Sequence, residues 1–315
     1  MKYRKRSIIY SLLAGLTILI NSCGNNKPQL ELLAVKHLPD FPSASAIEYD
    51  NGKIYLFGDD AAYLQVLDTT FRRVNTIRYS TDTTYRISRI TKPDIEAATI
   101  IKNGTGTYII AIGSFSTPQR QKIMTFLLPG NEGYDTIHFT GLSKELQSLP
   151  EINLEGLAAV DSKLVFANRA NKTHTLNKLV ITNNFLFDKV INPQTSIHDL
   201  DLKGTNIIGV SGLFYIKEKD MLLFTASEED TPSATQDGTI NDSYLGWIAD
   251  FSKKTDRKTI RPDELIKLST IHPVFEKQKI ESVCVQELTK NAAVLLLAAD
   301  NDNGESTVFK LNLKL

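Results

Sequence analysis

Cysteine is nearly missing from this 315-residue chain, which holds only Cys23 and Cys284. Two thiols exclude a four-cysteine zinc site and any disulfide framework beyond a single bridge. The five histidines, His37, His138, His174, His198 and His272, never fall three or four residues apart, so no paired-imidazole metal motif exists. A Gly-x-Ser-x-Gly elbow and a phosphate-cradling glycine loop are also missing, which leaves serine-nucleophile and P-loop chemistry without a motif. Neither sign of charge is in excess, with 36 basic and 36 acidic residues, and the basic ones form no patch interleaved with aromatics. That pattern excludes a nucleic acid polymer as partner. Long apolar runs are lacking too: the one at residues 7–20 is too short to span a bilayer comfortably.

What is present begins with an address. Lys2, Arg4, Lys5 and Arg6 precede that apolar stretch, and Asn21-Ser22-Cys23 follows it. A small residue before a cysteine at the end of such a stretch resembles the lipobox of bacterial lipoproteins. The resemblance implies a signal peptide over 1–22, lipid on Cys23, a polar tether over 23–29 and a single domain over 30–315. It also implies a lipid-anchored protein of the bacterial cell envelope, on the outer membrane and facing the periplasm or the exterior. All acidic residues lie beyond position 22, so the remaining 32 basic residues leave a formal charge near −4. Cys284 sits in an apolar strand-like run and reads as core.

One motif recurs five times at intervals of roughly fifty to seventy residues. A Ser or Glu opens an apolar run, a turn and a second apolar run follow, and a polar cluster closes the unit. The units run from Ser45-Ala-Ile-Glu-Tyr to Gly58-Asp59-Asp60, from Glu96-Ala-Ala-Thr-Ile to Gly113-Ser114, and from Glu155-Gly-Leu-Ala-Ala to Asn168-Arg169. Ser211-Gly-Leu-Phe-Tyr to Ser227-Glu228-Glu229 and Glu281-Ser-Val-Cys-Val to Asp300-Asn301-Asp302 complete the set. Strand-sized runs separated by turn residues divide each unit into four. They are 44–49, 53–57, 63–67 and 74–79; 96–101, 108–112, 123–128 and 135–140; 155–160, 164–167, 176–181 and 185–191; and 211–216, 221–226, 245–251 and 265–271. The last unit has only 281–286, 294–299 and 307–313, and the strand-like 30–37 supplies its fourth member.

This reads as an all-β, five-bladed β-propeller of four-stranded blades closed by an N-terminal strand. Helical content is expected only in connectors such as 143–149 and 262–268. A monomer is expected.

Hairpin geometry places the opening residue of one strand and the closing cluster of the next on the same propeller face. Ser45, Glu96, Glu155, Ser211 and Glu281 therefore face the channel, with the clusters around them. Carboxylates gathered on a narrow axis must protonate, find cations or bind a metal. One reading is that these side chains hold channel water or cap a neighbouring blade's backbone. The other is a hard-cation site, since oxygen donors without histidine or thiolate suit calcium.

The order Ser, Glu, Glu, Ser, Glu resembles the central calcium ring of the soluble calcium-activated nucleotidases, the apyrases. Lys53-Ile-Tyr-Leu-Phe-Gly-Asp59-Asp60 looks like the apyrase strand ending in paired aspartates, and Leu164-Val-Phe-Ala-Asn-Arg169 like its strand ending in arginine. Leu295-Leu-Leu-Ala-Ala-Asp300 occupies the place of the last-blade strand. The resemblance implies calcium held by the ring, Asp59 or Asp60 orienting water or a second ion, and Arg169 meeting phosphate. Departures fall on the chemistry: Ala61-Ala62-Tyr63 stands where the apyrases have Arg-Thr-Gly, and their Glu-Trp pairs are missing. Glu155-Gly-Leu-Ala equally resembles a signature of the esterase-like phytase propellers.

Rim residues carry two readings each. Arg169 is either a bidentate clamp for phosphate or the cation that neutralises Glu155. Glu229 and Asp230 open the longest insertion within a blade, which is either a solvated loop or a ligand-binding element, a lid or a second cation site. Asp300, with Asp302, fits a tight turn before Gly304 as well as a ligand role. The expected function is thus a calcium-binding envelope propeller hydrolysing a phosphoanhydride or phosphoester. The alternative is a non-catalytic propeller that binds a small phosphorylated ligand or a protein around a structural cation.

Overall fold

A computed structural model describes residues 29–129, 133–137, 146, 148–183, 194–202, 204, 206–230, 232–233 and 238–315. The signal segment, Cys23 and His138 lie outside them. Five sheets form a ring, each built around a meander of antiparallel strands. Blade 1 comprises β2 (Ala44–Asp50), β3 (Lys53–Gly58), β4 (Tyr63–Asp68) and β5 (Arg73–Arg78). Blade 2 comprises β6 (Ile95–Asn103), β7 (Gly106–Gly113), β8 (Ile123–Leu127) and β9 (Asp135–Ile137). Blade 3 contains β10 (Leu154–Val160), β11 (Lys163–Asn168), β12 (Asn177–Asn183) and β13 (Thr195–Leu200). In blade 4 stand β14 (Ile208–Ile216), β15 (Met221–Glu229), β16 (Ile240–Ile248) and β18 (Glu264–Lys267).

Blade 5 closes the ring. Its inner strands β19 (Lys279–Leu288), β20 (Ala292–Asp300) and β21 (Ser306–Lys314) are joined by the N-terminal β1 (Gln29–Leu38), antiparallel to β21 from Gln29 opposite Lys314 to Leu38 opposite Ser306. The expected closure is therefore present, and it pairs what would be an open edge. Successive innermost strands pack on one another around the axis, β2 on β6, β6 on β10, β10 on β14, β14 on β19 and β19 on β2.

The core lies between blades because each sheet is apolar on both faces. Leu222, Phe224 and Ala226 of β15 pack towards blade 3, while Leu223 packs with Leu295 and Leu297 of blade 5. Cys284 is buried with Leu296 and Phe41 at the junction of blades 5 and 1 and is a free thiol, as its apolar run predicts.

Three outer features differ from the sequence reading. The outer strand of blade 3 is Thr195–Leu200; the run at 185–191 lies outside the described residues. A two-residue strand, β17 (Thr259–Ile260), adds to that edge in parallel, so blade 3 is five-stranded. Residues 262–268, expected as a helical connector, instead supply β18, which stands where the strand over 265–271 was expected and whose Tyr244–Lys267 and Leu245–Ile266 pairs complete blade 4, with a short 3-10 turn at Leu268–Thr270. Strand β16 also begins five residues earlier than expected, at Ile240 rather than 245. Among the described residues no helix is long and apolar enough to cross a membrane.

Candidate functional site

The five residues that open the repeats share one backbone position: each is the extra residue of a β-bulge. Pairing passes from Ala44 to Ala46, Ile95 to Ala97, Leu154 to Gly156, Val210 to Gly212 and Ile280 to Ser282, skipping Ser45, Glu96, Glu155, Ser211 and Glu281 in turn. A bulged residue leaves the ladder and its side chain is re-aimed. The close approach of chains here explains the glycines that end β3 and β7. A Cβ on Gly58 would lie 2.3 Å from the Pro42 carbonyl oxygen, and one on Gly113 only 2.1 Å from that of Arg120.

Ser45, Glu96, Glu155 and Glu281 line a central cavity of about 570 Å³, together with Asp59, Asp60, Arg169, Glu229, Asp300 and Asp302 from the closing clusters. Ser211 stands apart from that wall and is fully buried; its Oγ donates to the Ile280 carbonyl of the next blade at 2.6 Å. Ser45 does the same, donating to the Ile95 carbonyl at 2.5 Å. Both hydroxyl protons therefore stitch neighbouring inner strands. Asp230 is exposed on the rim, paired with Lys172 at 2.6 Å, in a separate shallow pocket.

The cavity has two charged halves. On the blade 1 and 2 side, oxygens of Asp59, Asp94 and Glu96 lie within 4.8 Å of one another. Lys92 contacts Asp59 and reaches Asp94 Oδ1 at 2.7 Å, and Arg120 Nη1 reaches Asp94 Oδ2 at 2.9 Å. Burial alone would lower the Lys92 ammonium, but Asp59 and Asp94 outweigh it and hold it charged. Burial raises the Glu96 carboxyl, with Asp94 and Glu155 adding to the effect. Asp60 pairs with Arg86 at 2.6 Å, and both its Oδ1 and that of Asp59 are buried without a donor.

On the blade 3, 4 and 5 side, Arg169 is the hub. Its Nη2 donates to Ser227 Oγ at 2.6 Å and Glu229 Oε2 at 2.7 Å, while Nη1 lies 3.5 Å from Glu155 and 3.7 Å from Glu281. Lys279 pairs with Glu281 Oε1 at 3.0 Å and sits 3.9 Å from Glu229. Glu281 Oε2 is buried with no hydrogen-bond donor. Asn153 Nδ2 donates to Glu155 Oε1 at 2.7 Å. Burial pushes the Glu155 carboxyl up to about 7, Arg169 opposing and Glu281 adding. Asp300, whose Oδ1 accepts from the Asp302 amide, is raised chiefly by burial.

Sequence reasoning missed Asp94, Asn153 and Lys279, although a signal for them exists. Each stands two residues before an opening residue, as do Ser43 and Gly209, and the backbone is left-handed at Ser43 (φ 50) and Asp94 (φ 56). It also missed Arg86, Arg89 and Lys92, which the 80–93 connector brings over the cavity from a stretch with no periodicity. The described histidines lie away from this wall: His198 bonds Ser196 and the Arg257 carbonyl, and His272 accepts from the Val274 amide.

Comparison with known proteins places the fold. No curated protein sequence matches the chain. Among solved structures, Myxococcus xanthus glutaminyl cyclase superposes with a TM-score of 0.51 at 10% identity, covering 90% of this chain and 96% of that one. Bacillus subtilis arabinanase Arb43A gives 0.46 at 12% identity over 89% and 95% of the two chains. At such identities the likeness is one of fold alone. Residues 40–313 match the model described as a family of unknown function, DUF6929, and the chain belongs to that family.

Proposed function

We propose that the protein is an envelope-anchored, calcium-binding propeller whose central cavity carries out hydrolysis of a small phosphorylated compound. One observation carries the cation: oxygens of Asp59, Asp94 and Glu96 converge within 4.8 Å of one another. An all-oxygen carboxylate set fits a hard cation. This set keeps two residues of the sequence reading, Glu96 and Asp59, adds Asp94, and leaves Glu155 and Glu281 to Arg169 and Lys279. A bound ion would polarise a phosphoryl oxygen. The chain's own contribution is a proton site at Glu155, oriented by Asn153 and held near neutrality, suited to general acid–base work. Among the described residues that line the cavity none is aromatic, so a small polar substrate fits better than stacking of a nucleobase. Lipid on Cys23 supplies the anchor in this reading.

The second reading, a binding propeller without turnover, draws support from Arg169, which is already engaged with carboxylates of three blades. Lys92, in contact with two of the three carboxylates of the candidate cation set, supports it too.

The test is a thermal melt in chelator and across a calcium titration, with magnesium as control and Glu96→Gln alongside. A calcium-specific rise of several degrees that Glu96→Gln abolishes is expected, since ligand at about 100 times its dissociation constant adds roughly 2.7 kcal/mol. No rise in the unsubstituted protein removes the cation. Phosphate release from a phosphoester and phosphoanhydride panel then separates the two readings.

A further inference from the structure

The two faces of the ring are unlike in charge, and the strand directions show from which face the N-terminal strand starts. Every innermost strand begins at the cavity, so the turns after the first and third strands of each blade lie on the opposite face. The described turns of that face are 50–53, 68–73, 102–105, 161–163, 217–220, 250–254 and 289–291, joined by 314–315 at the end of β21. The segment 250–254 belongs there because the Phe251 amide donates to the Asp220 carbonyl at 2.9 Å. Together these described residues carry 11 Lys and Arg against 6 Asp and Glu, whereas the cavity lining carries 9 carboxylates against 6 cations. The turn face is thus basic and the cavity face acidic. Leu127 and Tyr134, at the two ends of the turn between β8 and β9, are 38% and 40% exposed on the basic face.

Strand β1 runs from the turn face to the cavity face. Gln29 stands opposite Lys314, which pairs with Ala292, and Leu38 stands opposite Ser306, which pairs with Asp300 of the cavity wall. Its 10 residues span about 30 Å. Cys23 precedes Gln29 by six residues, which reach about 20 Å at full extension.

We propose that the turn face is a docking surface for an anionic lipid bilayer, on which the anchored protein rests with its cavity opening away from the membrane. The posture rests on the reading of Cys23 as lipidated and the docking on the charge of the turns; neither rests on calcium or catalysis. Lipid on Cys23 keeps Gln29 within about 20 Å of the bilayer. The reverse posture, with the cavity face down, would need about 30 Å, the length of β1. A basic cluster beside a lipid anchor is a second membrane signal, drawn to anionic headgroups. Leu127 and Tyr134 suit the boundary, where an apolar body is covered and a phenol stays wet. The acidic cavity face is repelled by the same headgroups, so charge and tether select one posture.

The experiment puts the full lipidated chain on vesicles of phosphatidylglycerol and phosphatidylethanolamine, in chelator, and reads the quenching of a fluorophore by spin-labelled headgroups. The fluorophore is attached at Asn291→Cys on the turn face or at Asn303→Cys beside the cavity, both exposed positions, while buried Cys284 stays unlabelled. Quenching at 291 should exceed that at 303 by about threefold or more, and should fall by about half on phosphatidylcholine vesicles. The same fall is expected on anionic vesicles when Arg73→Glu, Lys163→Glu and Lys290→Glu together reverse the net sign of the face. Equal quenching at the two positions, or more at 303, overturns the posture. Quenching at 291 that is equal on anionic and neutral lipid overturns the docking. The mass of the N-terminal peptide tests the anchor separately: without lipid on Cys23 the tether falls, and the docking face still stands or falls by quenching at 291 on anionic vesicles.

Discussion

Glu155 is a carboxyl that burial holds protonated to about pH 7 even though a guanidinium stands beside it. In an unfolded chain such a group ionises near pH 4.5. The folded state therefore binds more protons than the unfolded one between those values, and stability falls as pH rises through that window. The full span corresponds to about 3 kcal/mol, an upper figure because neighbouring carboxylates share the titration. Glu155→Gln should flatten this loss: between pH 5 and 8 its melting temperature should fall less than that of the parent protein. Equal slopes in the two proteins would place the proton elsewhere. The opening residues were legible because a side chain of repeated type, Ser or Glu, marks every bulge. The residues two positions earlier, Ser43, Asp94, Asn153, Gly209 and Lys279, of which Asp94, Asn153 and Lys279 line the cavity, share a backbone place but no side-chain type, so their spacing from the opening residues is the signal the sequence carries for them.

At the scale of the element, inner strands were legible and most outer ones were too, the runs at 74–79, 135–140 and 265–271 standing where β5, β9 and β18 are. The outer strand of blade 3 was not, for a reason visible in its burial. Strand β11 is buried at every position but the first, and its apolar run announces it. Strand β13, Thr195-Ser-Ile-His-Asp-Leu, alternates partly exposed and buried positions at the edge of blade 3, so a more apolar neighbouring run outcompeted it on paper. At the edge of blade 4, 262–268 was read as a helical connector and 265–271 as a strand; the strand reading holds, although β18 has no buried residue at all and is held by its pairing with β16. The closing strand β1 was found by counting, since blade 5 lacked a fourth member. It carries Leu30 and Leu38 into the core and covers the edge of β21. Deleting residues 29–38 should cost about 3–6 kcal/mol from those two side chains alone. The exposed β21 edge should also promote self-association. Urea unfolding together with sedimentation checks both; a monomer of unchanged stability would mean that closure is ornamental.

Across the whole molecule, the ring is tied at its axis by charge as well as by the apolar seams between blades. Arg169 leaves the end of blade 3 and meets Glu155 of its own blade, Ser227 and Glu229 of blade 4 and Glu281 of blade 5. One guanidinium thus holds three sheets in register. Burial works against its charge, and Glu155, Glu229 and Glu281 together outweigh that penalty. Replacement by an apolar chain of similar length takes that positive charge away from all three, with Lys279 still beside Glu229 and Glu281. Arg169→Met should therefore destabilise the protein by about 3–5 kcal/mol at pH 8, the range for removing one partner of a buried ion pair. Its loss should shrink at pH 5, because carboxyls already raised by burial rise further without Arg169 and take up protons in the folded state. Urea midpoints at the two pH values decide the matter. A penalty equal at pH 5 and pH 8 would mean that Arg169 acts through packing of its side chain rather than through the charge that joins blades 3, 4 and 5.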